Sequence, residues 1–511
     1  MARPMSVEGT FPFNPAQLRN LRNWAEGERP DRAIAVVVAL TRPVRPDAAR
    51  AAVTELVRRH RALRSRVVED VDGTLLQQVV AAPAAEADLA LTETDARPAY
   101  GPERVDPAER ALRGTLYVSG GRVVLVKLSL SHLFTDAFGA HAAIRELRRI
   151  LAGEPLPAVP RRGGDVNADA AAVRRDTDRW KELLGAAPRS VTYSGVAREE
   201  HEKVRRVRVP LDGEDEALLA EAGRRLRVTR YVLWATAISA LVSRVSGRHR
   251  QVFRSTYANR FTPEDFRVVD QLAQAVYVPI EGEAGDSLRA RAERIAVVSL
   301  RTYRRGRYDA NELLRWLNEP ARSRGAAFQP AFELNYVPAA PAEARGDTPP
   351  APRGCELAKV RIDPQAAKAD LAVTISHLPG PVLQLSARRP VSGQQEPGVL
   401  AADCLAVLRV LCASPDTPVA ELPVEPFPAT AGLHPGHRSG ALVDLDLTRR
   451  LVLSVPGVES CELLPQGDRL TARVTASGPL SAPDLLRELR DRQPWWSGSV
   501  VPDDVVRHPA L

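Results

Sequence analysis

Twice in the first 151 residues, a short apolar run is followed by a segment whose apolar residues recur at helical spacing. That alternation limits the possible folds more than any other feature of the chain. Ala33–Leu40 has the length and β-branched content of a strand, and Pro46–Leu63 sets Val53, Leu56, Val57, His60 and Leu63 on one helical face. Arg122–Leu130 is a second strand, and Ala140, Ile144, Leu147 and Leu151 follow at steps of four, three and four, the mark of an amphipathic helix. The loop between them, Ser131–Asp136, therefore leaves the C-terminal end of a strand. In α/β layers that edge gathers ligand-binding side chains, because strand and helix hold them without covering them.

The same reading carries through the 511 residues, enough for about three compact units at roughly 150 residues each. A Pro/Gly-containing crossover, Gly153–Asp169, leads to a helix near Asp176–Leu184, a strand at Lys203–Val209 and helices at Gly213–Leu226 and Thr229–Arg244. Strand-like runs recur at Gln274–Pro279, Phe328–Val337, Leu371–Ser376 and Val382–Ser386, with Pro338–Arg353 a surface loop and Pro397–Leu411 a further helix. Glu425–Gly440 reads as a linker. Beyond it lies an α-β-β-α-β pattern: a helix at Leu445–Val455, two strands around a Gln-Gly-Asp turn, and a helix capped by Ser481 with Asp484. The expected class is α/β (α+β), divided as 1–172, 173–424, a linker at 425–440 and a small α+β unit at 441–511.

Composition narrows the function. The net charge is +8, and only five of the 71 basic residues are lysines. Basic clusters at Arg58–Arg66, Arg205–Arg208 and Arg224–Arg230 lack interleaved aromatics, and no nucleic-acid-binding signature accompanies them, so no nucleic acid is expected. A positive surface suits an acidic protein partner. Four scattered cysteines argue against a disulfide framework and for a reducing cytoplasm. The N-terminus lacks a signal-peptide core, and the longest uncharged stretch, Leu371–Ala387, is too short for a bilayer and contains two prolines. Histidine spacing predicts no metal, and no dinucleotide, P-loop or Gly-x-Ser-x-Gly motif is present.

Of nine histidines, His132 is the candidate for chemistry: Leu-Ser-His-Leu-Phe-Thr-Asp-Ala-Phe-Gly sets it four residues before Asp136 in the strand-to-helix loop. An imidazole with a pKa near ~6.5 accepts a proton at neutral pH. On spacing alone a plainer assignment stands beside this one, with Asp136 as a helix cap and His132 as a satisfied core histidine. Ser131–Ala137 resembles the His-His-x-x-x-Asp-Gly motif of nonribosomal peptide synthetase condensation domains. Asn14-Pro15-Ala16-Gln17-Leu18-Arg19, Arg59-His60-Arg61-Ala62-Leu63-Arg64, Arg179–Leu184, Thr229–Gly247, Ala258-Asn259-Arg260 and Pro415–Leu422 are similar to further blocks of that family in the same order, over about Phe11–Leu422.

The resemblance implies two chloramphenicol-acetyltransferase-like lobes in a V with a tunnel at their junction. It assigns His132 to deprotonating or orienting an acceptor amine or hydroxyl that attacks a thioester on a carrier-protein phosphopantetheine arm. No tightly bound cofactor is implied. It makes Asp136 structural, with Arg64 or Arg260 as the partner of a buried ion pair. The sequence departs from the pattern at three places. Ser131 replaces the first histidine. Ala137 replaces a glycine where the backbone would approach the substrate or take positive φ. Asp270–Gln274 stands where a Gly-x-Phe-Val-Asn latch is expected. Residues 441–511 resemble the C-terminal subdomain of adenylate-forming enzymes, but no lysine follows Lys368, so adenylation is not expected. Trp495 and Trp496 either form an exposed anchor or pack inside the unit. The leading expectation is amide or ester formation in specialised metabolism; the alternatives are a coenzyme A-dependent acyltransferase and an inactive recruitment platform.

Overall fold

The computed structural model describes residues 6–25, 33–82, 89–160, 170–188, 204–319, 324–338, 357–362, 370–377, 381–388, 396–426, 433–434, 437–439, 443–478, 480–496 and 498–508. The proposed loop at Pro338–Arg353 and most of the linker at Glu425–Gly440 lie outside them.

In the first part of the chain the elements are β1 (Val7–Phe11), α1 (Pro15–Ala25), β2 (Ala33–Val44), α2 (Pro46–Arg59), β3 (Ser65–Glu69), β4 (Leu75–Val80), β5 (Leu91–Thr94), β6 (Leu112–Ser119), β7 (Arg122–Ser131) and α3 (Ala137–Leu151). Residues 34–38 of β2 are at most 1% exposed, as expected of a strand covered on both faces. It pairs antiparallel with β7, Ala33 opposite Ser131, which carries β7 to the start of the candidate loop. Pro46 opens α2, where a missing N–H costs nothing, and α3 packs its Ala140, Ile144 and Leu147 face into the core beneath β2 and β7.

The second part contains α4 (Ala170–Gly185), β8 (Arg205–Pro210), α5 (Gly213–Leu226), α6 (Arg230–Ser246), β9 (Gln251–Tyr257), β10 (Gln274–Ile280), α7 (Leu288–Tyr303), α8 (Ala310–Asn318), β11 (Glu333–Val337), β12 (Leu357–Ile362), β13 (Leu371–Ser376), β14 (Val382–Ala387) and α9 (Pro397–Ala413). Its six-stranded sheet runs β10-β9-β11-β13-β14-β8, and β9, β11 and β13 are parallel. Leu233, Phe253, Phe332, Ile375 and Leu408 form its core.

The second part lends material to the first. Strand β12 leaves the second and pairs antiparallel with β2, completing a five-stranded sheet β12-β2-β7-β6-β5. Val269 of the second part is buried in the core of the first.

After β15 (Leu433–His434) and β16 (Val443–Asp444), the small unit comprises α10 (Leu445–Leu453), β17 (Val458–Gln466), β18 (Arg469–Ala476), α11 (Ala482–Arg492) and β19 (Asp504–His508). The last strand lies parallel to β18, and Ser481 caps α11 through the Asp484 N–H at 3.2 Å. The linker reading needs correction at its end. His437 is buried and held by Ser439 Oγ at 2.9 Å and Asp503, so it belongs to the small unit's packing and not to a free tether. Among the described residues, no helix is long and apolar enough to cross a membrane.

Candidate active site

The loop after β7 is shaped by its own short-range bonds. Ser131 is fully buried; its carbonyl accepts from the Phe134 and Thr135 N–H groups, and its hydroxyl oxygen accepts from the Leu133 N–H at 3.2 Å. A hydroxyl thus closes the turn from the position where the family pattern has a histidine. Leu133 and Phe134 are sunk in the core, Phe134 stacking on Phe13 at 6.4 Å. His132 lies between the strand and these two anchors. It is half-buried with its Nδ1 inward, and its carbonyl accepts from Asn20 Nδ2 of α1 at 2.9 Å.

Asp136 caps α3 and does much more. Its Oδ1 accepts from the Gly139 N–H at 2.8 Å, while Oδ2 accepts from Arg260 Nη1 at 2.7 Å and from the backbone N–H groups of Leu272 and Ala273 at 2.9 and 2.8 Å. Both charged side chains are at most 1% exposed. Burial by itself would raise this carboxyl. The Arg260 charge and hydrogen bond, with the backbone donors, outweigh that and hold it below the usual aspartate range. Arg260 in turn donates to the carbonyls of Ala258, Asp265, Val268 and Asp270, so the loop from 258 to 273 is wound around one guanidinium. The plainer assignment of Asp136 as a cap and the family's assignment of an ion pair hold together, on different oxygens.

Of the two arginines considered for that pair, the structure brings only Arg260 to Asp136. Arg64 is a correction. The 3-10 turn at Arg61–Arg64 directs it to the β1-β4-β3 sheet, where Nη1 meets Glu8 at 2.8 Å and the Val80 carbonyl at 2.6 Å. Ala137 also differs from expectation: it is the first residue of α3, and the left-handed backbone nearby belongs to Asn259, at φ 53°. Nor is the segment at Asp270–Gln274 a loosened latch, because it binds Asp136 through main-chain N–H groups, which every residue except proline supplies.

Three positioning residues escaped the sequence reading. Gly139 faces the Asp270 backbone so closely that a Cβ there would lie 2.9 Å from its carbonyl oxygen. Asn259 Nδ2 donates to the Leu272 carbonyl at 2.9 Å, and Asn20 holds His132. Asn259 falls in the Ala258-Asn259-Arg260 block and Gly139 ends the stretch that carries His132 and Asp136, but a glycine three residues after a cap is unremarkable in a sequence. His141, one turn along α3, is kept neutral, with burial and then Arg145 bringing its pKa down to about 4. Burial raises the Cys404 thiol to about 12 and that of Cys412 to about 11, which leaves neither nucleophilic. Among the described residues, no group of His, Cys, Asp and Glu is arranged to hold a metal.

A chain whose second part lends a strand to the five-stranded sheet of the first, and whose strand-to-helix loop carries a partly exposed histidine four residues before a buried Asp–Arg pair, has the fold of a condensation domain. The first condensation domain of the CDA synthetase superposes with a TM-score of 0.60 at 17% identity, covering 82% of this chain and 99% of that one. The condensation domain of the Monacolin K polyketide synthase MokA gives 0.63 at 14% identity, over 81% and 100%. The four-domain nonribosomal peptide synthetase AB3403 gives 0.61 at 14%, over 83% of this chain and 34% of its own. In sequence, the chain is 27% identical over 265 residues to a probable non-canonical nonribosomal peptide synthetase, CymA, of Salinispora arenicola (strain CNS-205); the match takes in 47% of this chain and about 3% of that protein's length. No protein-family model matches the chain.

Proposed function

We propose that the chain is a condensation enzyme, joining an acyl or aminoacyl thioester to an amine or hydroxyl in specialised metabolite biosynthesis. The observation that carries this reading is the placement of His132: partly open to solvent, its carbonyl held by Asn20, on a loop clamped to the second part of the molecule through Asp136 and Arg260. With Nδ1 turned inward, Nε2 is the nitrogen assigned to the nucleophile. As the amine or hydroxyl attacks the thioester carbonyl carbon, Nε2 takes its proton. Collapse of the tetrahedral intermediate forms the amide or ester and expels a thiolate, which recovers the proton from the imidazolium. Neither a covalent enzyme intermediate nor a bound cofactor is needed. The phosphopantetheine arm of a carrier protein presents the donor, and the positive surface suits an acidic carrier. The division at 172 and 424 places this histidine in one lobe and Arg260 in the other, and the small unit, without a lysine after Lys368, serves docking and not adenylation.

Coenzyme A as donor is the second reading, favoured by the likeness to a starter condensation domain of rhizomide synthetase solved in complex with C8-CoA. Neither Ser131 nor Ala137 argues for an inactive platform, since the loop is bonded and helical as it stands. The decisive experiment incubates carrier-bound and coenzyme A-bound acyl donors with amines and alcohols and follows product by mass spectrometry. His132→Ala is expected to lower turnover about 10²- to 10⁴-fold. Undiminished product from that variant removes the assignment, and equal rates with the two donors remove carrier specificity.

A further inference from the structure

Asp136 and Arg260 fix one end of the strand-to-helix loop, but a carboxylate four residues downstream does not by itself fix His132. The other end is held by α1. Asn20 Nδ2 donates to the His132 carbonyl at 2.9 Å, and two residues earlier on the same helix the Leu18 carbonyl accepts from Asn311 Nδ2 of α8 at 3.0 Å. At a rise of about 1.5 Å per residue, positions 18 and 20 lie about 3 Å apart along the axis, too short a span for a helix to flex. Asn311 stands on a rigid post. Its N–H and that of Glu312 donate to Asp309 Oδ1, both at 2.9 Å, and the Asp309 N–H donates to Thr177 Oγ1 of α4 at 3.0 Å. Lys181 of α4 pairs with Glu312 at 2.6 Å.

The same helix is tied to the Asp136 end of the loop. Asn14, buried just ahead of α1, donates from Nδ2 to the Gln271 carbonyl at 3.2 Å, and the next residue, Leu272, gives its N–H to Asp136. The loop, α1 and the segment at 271–272 therefore close a ring of hydrogen bonds and backbone, and Asn311 braces that ring from the second part. Apolar burial does not replace these bonds. Leu21 is buried in the core of the first part, with Leu18 and Trp24 packed beside it. Such a seat resists lifting of the helix, but the hydrophobic effect has no direction, so the position of α1 along its own axis is left to the directional bonds at Asn14, Leu18 and Asn20.

We infer that Asn311 is a positioning residue for the chemistry at His132, acting from the second part of the molecule through α1 and Asn20. The inference rests on the condensation reading for its effect on turnover, but its spectroscopic test does not. The full-length protein is labelled with carbon-13 at histidine Cε1, and the His132 signal is assigned by its loss in His132→Ala. Asn20→Ala and Asn311→Ala place a strong helix former at helical positions, which preserves folding. Each is expected to move the His132 signal and to leave those of His377 and His437 in place. Glu312→Ala, on the same turn of α8 but bonded to α4, is expected to leave all of them in place. The double variant should set the His132 signal where Asn20→Ala alone sets it, because a relay in series is broken only once. With an active donor, each single change should lower kcat about 3- to 10-fold at unchanged KM, the effect of one hydrogen bond, and the double variant should fall no further than Asn20→Ala. An unmoved His132 signal in Asn311→Ala, or losses that multiply in the double variant, overturns the relay. A moved signal with no product from any donor and nucleophile overturns the condensation reading and leaves the relay standing.

Discussion

Asp136 concentrates more of the molecule's specificity than its single charge suggests. Its two oxygens cap one helix, neutralise one arginine and receive two backbone donors from a segment over 130 residues away. Removing one member of a fully buried ion pair strands the other, at about 3–5 kcal/mol. Asp136→Asn should therefore lose that much stability in denaturant titration, whereas Arg64→Ala, at a pair with half-exposed Glu8, should leave the loop and turnover intact. The acid response has two stages with definite signs. His141 has its pKa depressed to about 4 from an ordinary 6.5, so the unfolded chain binds its proton first and stability declines as pH falls across that interval. The Asp136 carboxyl is also depressed, so its contribution is complete above the ordinary aspartate value of 3.8 and is lost below it, as pH falls through the folded pKa. Unfolding midpoints against pH should show the first stage shrink in His141→Gln, the lowered His249 and His437 keeping part of it, and the second shrink in Asp136→Asn, where Glu146 and Asp286 are lowered as well.

Between elements, the decisive contact is the close approach of α3 to the loop before β10. Gly139 permits it: a methyl there would stand 2.9 and 3.0 Å from the carbonyl oxygen and nitrogen of Asp270, main-chain atoms that cannot swing aside. Gly139→Ala should destabilise by about 1–3 kcal/mol and lower turnover with any active donor, because it pushes away the segment that Asp136 grips. Helix α1 is set on the other side by a reciprocal cap, Asn14 Oδ1 receiving the Gln17 N–H and Gln17 Oε1 the Asn14 N–H, and it bridges both parts through Asn14 Nδ2 to Gln271 and Asn311 Nδ2 to Leu18. Much at this scale was legible: β2, β7, β13, α3, α6 and the small unit's hairpin carry periods that the fold respects. Helices α7 and α8 were missed: in α7 an arginine-rich exterior and interior polar residues such as Arg291 and Ser299 dilute the apolar period, while α8, of nine residues, is too short for its period to stand out.

Across the whole molecule, the small C-terminal unit is docked and not merely tethered. Gly325, at φ 82°, lies so near Val501 that a Cβ would be 2.6 Å from its carbonyl; Val501 N–H donates to the Gly325 carbonyl at 2.7 Å, and Ala326 packs with Val443, Leu470 and Val500. Gly325→Ala meets both the left-handed penalty and that collision, and should release the unit, seen as faster proteolytic separation of the small unit with the activity of the larger part retained. Of the tryptophan pair, Trp496 packs into the small unit and Trp495 is 39% exposed, so the two alternatives divide between neighbours. Local order needs only periodicity and caps, which neighbours in sequence carry; on that basis the sequence by itself determined the βα units, the strand-to-helix loop bearing His132 and Asp136, and the make-up of the small unit. Which arginine meets Asp136, that main-chain donors serve where a latch motif was expected, and that β12 crosses to β2 were decided only by tertiary structure. Those pairings join residues remote in sequence through backbone groups and shared burial, to which no residue type is tied.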